Sequence, residues 1–293
     1  MKLRFLLPLL LLTGGLIPLP ALALVPHTPQ VDLQELQRDG EGLFRQAVQL
    51  IQFQEYDEAL RRAQLATELI PDQYQVWGLV ADLYIRTDRP QQALLALEQA
   101  HQISPNEPAI LASFGTVYFR QKDYAKAAEY HEAYVALKGD VPEAHFELGN
   151  DYYMLGRYED ALASFQQAVT LRSDFWESMN NMGLVEYERG NGEAALDYWR
   201  QAIAINDRVA EPQLAIAVAL YHQGDREAGI SQAEAALRLD GRYGNAQFLA
   251  EQLWGPKILE AAAPLLAQPR VQIAAQRALE AAQSPSEQDP PSP

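Results

Sequence analysis

Cysteine is absent from this 293-residue chain, and histidine is scarce, with five residues. Without cysteine the protein has no disulfide, no thiol nucleophile and no site for a lipid on an N-terminal cysteine. Its stability must therefore come from packing alone.

Positive charge is also in short supply, because 23 Lys and Arg residues stand against 39 Asp and Glu residues, a formal net charge of −16. Such a chain repels phosphate backbones and anionic lipid headgroups. The composition thus disfavours binding of nucleic acid or lipid surfaces. A basic partner or a divalent cation is easier to accommodate.

Sustained alternation of apolar and polar residues, the pattern of half-buried strands, is missing as well. Glycine and proline number only 17 and 18, while hydrophobic residues make up 48% of the chain. This composition favours helices throughout, and we predict an all-α protein.

Catalytic motifs are not found. His131-Glu132 begins like a metalloprotease helix, but Val135 stands where the second histidine is required. Neither a G-x-S-x-G elbow nor a phosphate-binding Gly-Lys-Ser/Thr loop occurs, and Gly190-Asn191-Gly192 fits a turn between helices better than a nucleotide loop. We therefore predict no enzyme activity and no cofactor.

The sequence contains one weak candidate for a metal-binding site, a pair of histidines. His131 and His145 would lie on stacked helices with Glu132 and Glu143 nearby, but ordinary packing or surface positions explain these residues better. The sequence predicts no metal site.

The N-terminus has a charged, an apolar and a small-residue region in the order found in a secretory signal peptide. Lys2 and Arg4 precede an apolar run over 5–19 and then Ala21-Leu22-Ala23. We predict a signal peptide over 1–23, cleaved after Ala23, and thus an exported protein in a periplasm or equivalent lumen, or secreted. The alternative is an uncleaved anchor, although prolines and glycines interrupt a stretch already short for a bilayer span.

The strongest pattern is a period of 34 residues. Counting registers from Gly40, Tyr74, Pro108, Pro142, Trp176 and Ala210, positions eight, twenty and twenty-seven carry small residues, with Tyr134 the one large exception. Small residues midway along one helix receive large side chains from its antiparallel partner. We expect Phe165 and Trp199 to be two of these inserted side chains. Turn signals containing Gly156, Gly190 and Gly224 separate the two predicted helices of later units.

The small residues at these three repeat positions, together with Tyr at position eleven and with Pro71 and Pro105 at position thirty-two, resemble the pattern of the tetratricopeptide repeat family. The resemblance covers 40–241 as six helix-turn-helix repeats and implies a right-handed superhelix. Departures are Ser173, Asp207 and Gly241 where proline would stand.

The flanking segments have separate predictions. We expect a linker and N-terminal cap over 24–39, with 31–39 adding a turn or two before the first helix. Residues 242–254 look like one further helix A, 257–266 and 271–283 like short capping helices, and 284–293 like a disordered tail.

The resemblance also implies a concave groove lined by the first helix of each repeat, helix A. Aromatic and arginine side chains at groove positions have the chemistry that anchors a peptide or helix. The predicted groove residues are Arg86, Phe119, Arg120, Phe146, Asn150, Tyr153, Asn180, Tyr187 and Tyr221. The alternative is that the aromatic stripe merely packs one helix A against the next.

The resemblance places groove residues at positions five and nine of each repeat, and none of these is lysine or arginine. Some family members use basic residues in the groove to bind the C-terminal carboxylate of a chaperone, and this mode of binding is therefore disfavoured. The sequence predicts a non-catalytic scaffold or assembly factor that binds a segment of another protein. The alternatives are an exported small-ligand or metal-binding protein, and a self-associating protein whose helix over 271–283 occupies its own or a neighbour's groove.

Overall fold

The computed structural model describes residues 32–283, and this part of the chain folds into fifteen α-helices. The predicted signal peptide over 1–23 and the predicted disordered tail lie outside the described residues. The helices α1–α15 span Leu33–Gln52, Tyr56–Leu69, Tyr74–Arg86, Pro90–Ile103, Pro108–Arg120, Tyr124–Leu137, Pro142–Met154, Tyr158–Leu171, Trp176–Arg189, Gly192–Ile205, Ala210–His222, Arg226–Leu239, Ala246–Glu251, Pro256–Leu266 and Pro269–Gln283. No strand occurs within the described range, so the all-α prediction is confirmed.

Helices α1 to α12 form six antiparallel pairs, and each second helix packs against the first helix of the next pair. This arrangement is the predicted solenoid of six helix-turn-helix units. The first helix starts at Leu33, where the side chain of Asp32 accepts hydrogen bonds from the backbone amides of Gln34 and Glu35. Residues 33–39 therefore lengthen α1 by about two turns.

The predicted insertion of large side chains opposite small residues is confirmed within the pairs. A Cβ atom at Gly149 would lie 2.6 Å from Phe165, and one at Gly183 would collide with Trp199. Both aromatic side chains are fully buried. His131 occupies the same repeat position in α6, where its ring lies against Gly115, a role that was not predicted from the sequence.

The turns within the pairs need a left-handed residue. Gly156, Gly190 and Gly224 supply it in the last three repeats, as the turn signals predict, with φ between 72° and 100°. In the first three repeats Gln54, Asp88 and Lys122 adopt φ near 60° instead. The conformation is therefore set by the repeat, and glycine removes its steric cost in only half of the turns.

The region after α12 differs from the prediction of one further helix A over 242–254. A 3₁₀ turn spans Gly241–Gly244, and Asn245 then caps the six-residue helix α13 by accepting from the amides of Gln247 and Phe248. The turn lies under α15, since a Cβ atom at Gly241 would be 2.7 Å from the carbonyl oxygen of Ala275. A continuous helix would not leave room for this packing.

The two remaining helices, α14 and α15, form close to the predicted limits. Helix α15 packs on α12, as a cap would, and Val271 is buried there. Within 32–283 the helices are too short or too polar for any of them to traverse a bilayer.

Candidate partner-binding groove

The first helices of repeats one to three, α1, α3 and α5, present an uncovered face. Val48 is 39% exposed at groove position nine, and a Cβ atom at Gly78 would meet nothing within 4 Å. Ala112 and Thr116 are half-buried on the same face of α5. Nothing in the described chain fills this part of the groove.

Two of the predicted residues, Arg86 and Arg120, are exposed at the ends of α3 and α5. The Nε atom of Arg86 donates to Asp82 at 2.7 Å, and Arg120 donates to the carbonyl oxygen of Ile85 at 3.0 Å. The Arg86 guanidinium also interacts with Tyr56, but each guanidinium has five N–H donors and retains some of them for a carboxylate. These bonds hold the two cations at neighbouring repeats along the uncovered face.

Phe119 is half-buried beside Arg120, with its ring edge-on to Tyr124 at a centroid distance of 5.2 Å. Phe146 is also half-buried, but its ring lies between Phe165 and Phe175, at 5.8 and 5.0 Å. Phe146 therefore packs against the second helix of its own repeat and against the N-cap residue of α9, whereas Phe119 offers a partner an apolar surface.

The groove of repeats five and six is covered by the chain itself. Leu184, Leu214 and Val218 occupy groove positions but have no exposed surface. Helix α14 packs against α9 and α11, and its Ile258 and Leu265 are fully buried in the same core cluster. An internal helix thus fills the space where a partner segment is predicted to bind.

Glu188 fastens the beginning of this covering helix. Its carboxylate accepts from the backbone amides of Lys257 at 3.2 Å and Ile258 at 3.0 Å, and the Lys257 ammonium donates to the Glu188 carbonyl oxygen. A carboxylate at a helix N-terminus satisfies free amides and interacts favourably with the helix dipole. A Cβ atom at Gly255 would lie 2.5 Å from Cδ of Glu188, so a larger residue at this position would displace the carboxylate.

Glu211 forms a second buried anchor. Its carboxylate accepts from Nε1 of Trp254 at 3.0 Å and from the hydroxyl of Tyr243 at 3.3 Å. Burial raises the pKa of Glu211 to about 7, although hydrogen bonds from Trp254, Asn180 and Tyr243 act in the opposite direction. The anchor therefore joins repeat six to the segment before α14.

Three predicted groove residues are enclosed by this arrangement, so their prediction as contacts for a partner is corrected. The side-chain oxygen of Asn150 accepts a hydrogen bond from Nδ2 of Asn181 at 2.8 Å. Nδ2 of Asn180 in turn donates to the side-chain oxygen of Asn181 at 3.2 Å. Tyr153 is 5% exposed, and burial raises the pKa of its hydroxyl well above the usual value. All three residues serve the interior.

Tyr187 and Tyr221 are half-buried at the margin of α14. Tyr187 packs on Trp199 at 5.9 Å and borders a cleft of about 530 Å³ that Lys257 also lines, whereas the hydroxyl of Tyr221 accepts from Gln268 at 2.9 Å. The accessible predicted residues are thus Arg86, Phe119 and Arg120, with the tyrosines at the boundary.

The sequence did suggest that a C-terminal helix occupies the groove, but it named the wrong one. The chain places α14 on α9 and α11, and the predicted helix over 271–283 belongs to α15 on the outer side of α12. Helix α14 is more apolar than α15, which carries Gln272, Gln276 and Gln283 beside its charged residues. This difference is the sequence signal that could have identified α14 as the buried helix.

The histidines weighed as metal ligands have structural partners. His131 Nδ1 lies 2.6 Å from Oδ2 of Asp151, fully buried between repeats three and four, while Nε2 of His145 contacts the carbonyl oxygen of Gly139 at 2.9 Å. Among residues 32–283 no three His, Asp or Glu side chains converge as metal ligands would.

Comparison with protein families connects this geometry to known repeats. Models described as tetratricopeptide repeat match 142–175 and 177–212. A model described as ChAPs (Chs5p-Arf1p-binding proteins) matches 27–111.

Similar proteins match this chain over different lengths. Anaphase-promoting complex subunit 3 of Schizosaccharomyces pombe is 28% identical over 79 residues, which cover 27% of this chain and only 12% of that protein. The structure of Pseudomonas aeruginosa pilF has a TM-score of 0.61 at 16% identity and covers 75% of this chain and 98% of its own. YrrB, described as a TPR protein with an unusual peptide-binding site, has a TM-score of 0.52 at 22% identity over 60% of this chain and 90% of its own.

Proposed function

Because the chain is a tetratricopeptide repeat protein, we propose that it is a non-catalytic scaffold that binds a segment of another protein along α1, α3 and α5. The observation that carries this proposal is the contrast between the two halves of the groove. Its C-terminal half already holds the helix α14, whereas its N-terminal half leaves Val48, Gly78 and Phe119 accessible. The chain's own contact with α14 supports the view that this face accepts a helix.

The chemistry of the uncovered half supports a segment with both apolar and acidic residues. Phe119 offers a rigid apolar surface, and Arg86 and Arg120 offer guanidinium groups at its edge. A partner would insert an apolar side chain towards Gly78 and place carboxylates on the two arginines.

Export is part of the proposal and is supported by the leader pattern over 1–23. Fractionation of the native cells, with mass spectrometry of the mature N-terminus, tests it. A chain that starts at Leu24 in an exported fraction supports the proposal, and an uncut chain in the cytoplasmic fraction contradicts it.

Affinity capture with the chain over 24–293 tests the groove. We expect the double variant Phe119→Ala/Arg120→Ala to lose a partner that the unchanged protein retains from its native exported fraction. The matched control is Ile273→Ala/Arg277→Ala, an exposed apolar and arginine pair on α15. Equal capture by both variants, with intact helicity in circular dichroism, would contradict binding in this groove.

A further inference from the structure

A second concave surface lies outside the groove, between α2 and α4, with α3 as its floor. This valley has a volume of about 670 Å³. Val80 on α3 and Ala96 on α4 are almost fully buried there, and larger side chains are presented by Trp77 and Tyr84 on α3 and by Leu95 on α4. Leu95 is 63% exposed, a large apolar side chain facing solvent at the rim.

The same place in the next repeat is filled by an aromatic ring of the chain itself. Tyr130 stands 34 residues after Ala96, and its ring stacks on Phe114 and Tyr118 at centroid distances of 4.7 and 5.5 Å. Tyr198 occupies the corresponding place in α10 and is half-buried against the core. In repeat two the residue at this place is Ala96, which has no ring.

The rings that would receive an aromatic side chain are held in position by hydrogen bonds. Nε1 of Trp77 donates to the carbonyl oxygen of Pro71 at 2.8 Å. The hydroxyl of Tyr84 accepts from Nε2 of Gln64 at 2.8 Å. Rings that are fixed before binding lose little conformational freedom when a partner arrives.

Charge selects among possible partners. Glu68 is the only charged residue among those that line the valley, and the whole chain carries a formal charge of −16. A segment with basic residues beside its aromatic side chain is therefore attracted, both locally and at long range.

We infer that the valley between α2 and α4 is a second interaction surface, which takes an aromatic side chain from a basic segment of another protein. The partner supplies the ring that Tyr130 supplies one repeat later. This surface is separate from the groove of α1, α3 and α5, so one scaffold holds two partner segments at once.

Nuclear magnetic resonance with two synthetic peptides tests this inference on the chain over 24–293. The peptides are Gly-Arg-Ser-Tyr-Ser-Arg-Gly and the same sequence with leucine in place of tyrosine. The indole N–H signal of Trp77, assigned through Trp77→Phe, reports on the valley. We expect the tyrosine peptide to shift this signal and the leucine peptide to bind about tenfold more weakly or not at all.

Two variants separate occupancy of the valley from a loss of folding. Ala96→Tyr copies Tyr130 and should fill the valley, and Leu95→Lys removes the apolar wall at an exposed site, so both should abolish the shift. Ala133→Tyr, an exposed position on α6, is the matched control and should leave the shift unchanged. A peptide shift that persists in Ala96→Tyr, equal shifts from both peptides, or no shift with either would overturn the inference.

Discussion

At the scale of single residues, the packing of this solenoid depends on pairs of one large and one small side chain. Gly149 accommodates Phe165 and Gly183 accommodates Trp199, whereas His131 fills the corresponding space beside Gly115. Interiors are packed as densely as crystals, so an added methyl group at such a contact must displace its neighbour.

Gly149→Ala tests this dependence. Its new Cβ atom would lie 2.6 Å from the ring of Phe165, so the free energy of unfolding should fall by about 1–3 kcal/mol. Gly78→Ala is the matched control, since its Cβ atom faces open space in the middle of α3 and should stabilise the helix by about 0.5–1 kcal/mol. Urea unfolding followed by circular dichroism measures both, and equal changes would contradict the packing argument.

Glu211 should make stability depend on pH. Its folded-state pKa of about 7 exceeds the ordinary value of 4.5, so the folded protein binds more protons between these values. The stabilisation is complete below about 4.5 and is lost as the pH rises through about 7, by roughly 3 kcal/mol. The unfolding free energy of the natural protein minus that of Glu211→Gln should therefore become smaller as the pH rises from 4.5 to about 7.

Urea unfolding at several pH values, followed by tryptophan fluorescence, measures that difference. Other carboxylates titrate in both proteins and cancel in the comparison. A difference that does not change with pH would show that Glu211 is not held in a buried site of this kind.

At the scale of helices, the element that changes the molecule most is α14. It is fixed by the contacts of Glu188 with Lys257 and Ile258, across about seventy residues of chain. No short-range pattern encodes such contacts, and the more apolar composition of α14 was the one local signal that favoured its burial over that of α15. The repeat pairs were predictable because their helix contacts recur every 34 residues.

Gly255→Ala should loosen α14 without harming the repeats. The added Cβ atom would lie 2.5 Å from Cδ of Glu188 and would move the carboxylate away from the helix amides. Hydrogen exchange should become faster at 258–262 and stay unchanged in α3. The control is Gly192→Ala, whose Cβ atom would approach only Gln223, at 3.8 Å; similar acceleration of α14 in the control would refute the role of Gly255.

At the scale of the whole molecule, the repeats are not equally reinforced. One core cluster joins residues of α1 to α5, and a larger one runs from α6 to α15 and includes the C-terminal helices. The stability of a solenoid is approximately a sum of repeat and neighbour terms, so extra neighbours protect the repeats that they touch.

This difference predicts an order of opening. Amides of α9 and α11, which lie under α14, should exchange more slowly than those of α1 and α3. Native-state hydrogen exchange read by mass spectrometry decides the matter, with α7 as an internal reference. Uniform protection along the chain would mean that the C-terminal helices add no stability.

The structure divides the predicted groove residues into an exposed set and an enclosed set. Arg86, Phe119 and Arg120 were identifiable because their repeat positions imply exposure on helix A. Asn150, Tyr153 and Asn180 have equivalent positions, but a segment folded back from a distant part of the chain encloses this region. Repeat position predicts which face a residue occupies, and tertiary contacts decide whether that face stays open.

Helix α15 covers α12, the last helix of the sixth pair. A stack of repeats grows into a filament when the last repeat of one copy presents a free surface to the first repeat of the next. Within the described residues that surface is covered by α15, so a head-to-tail contact through α12 requires α15 to be displaced first.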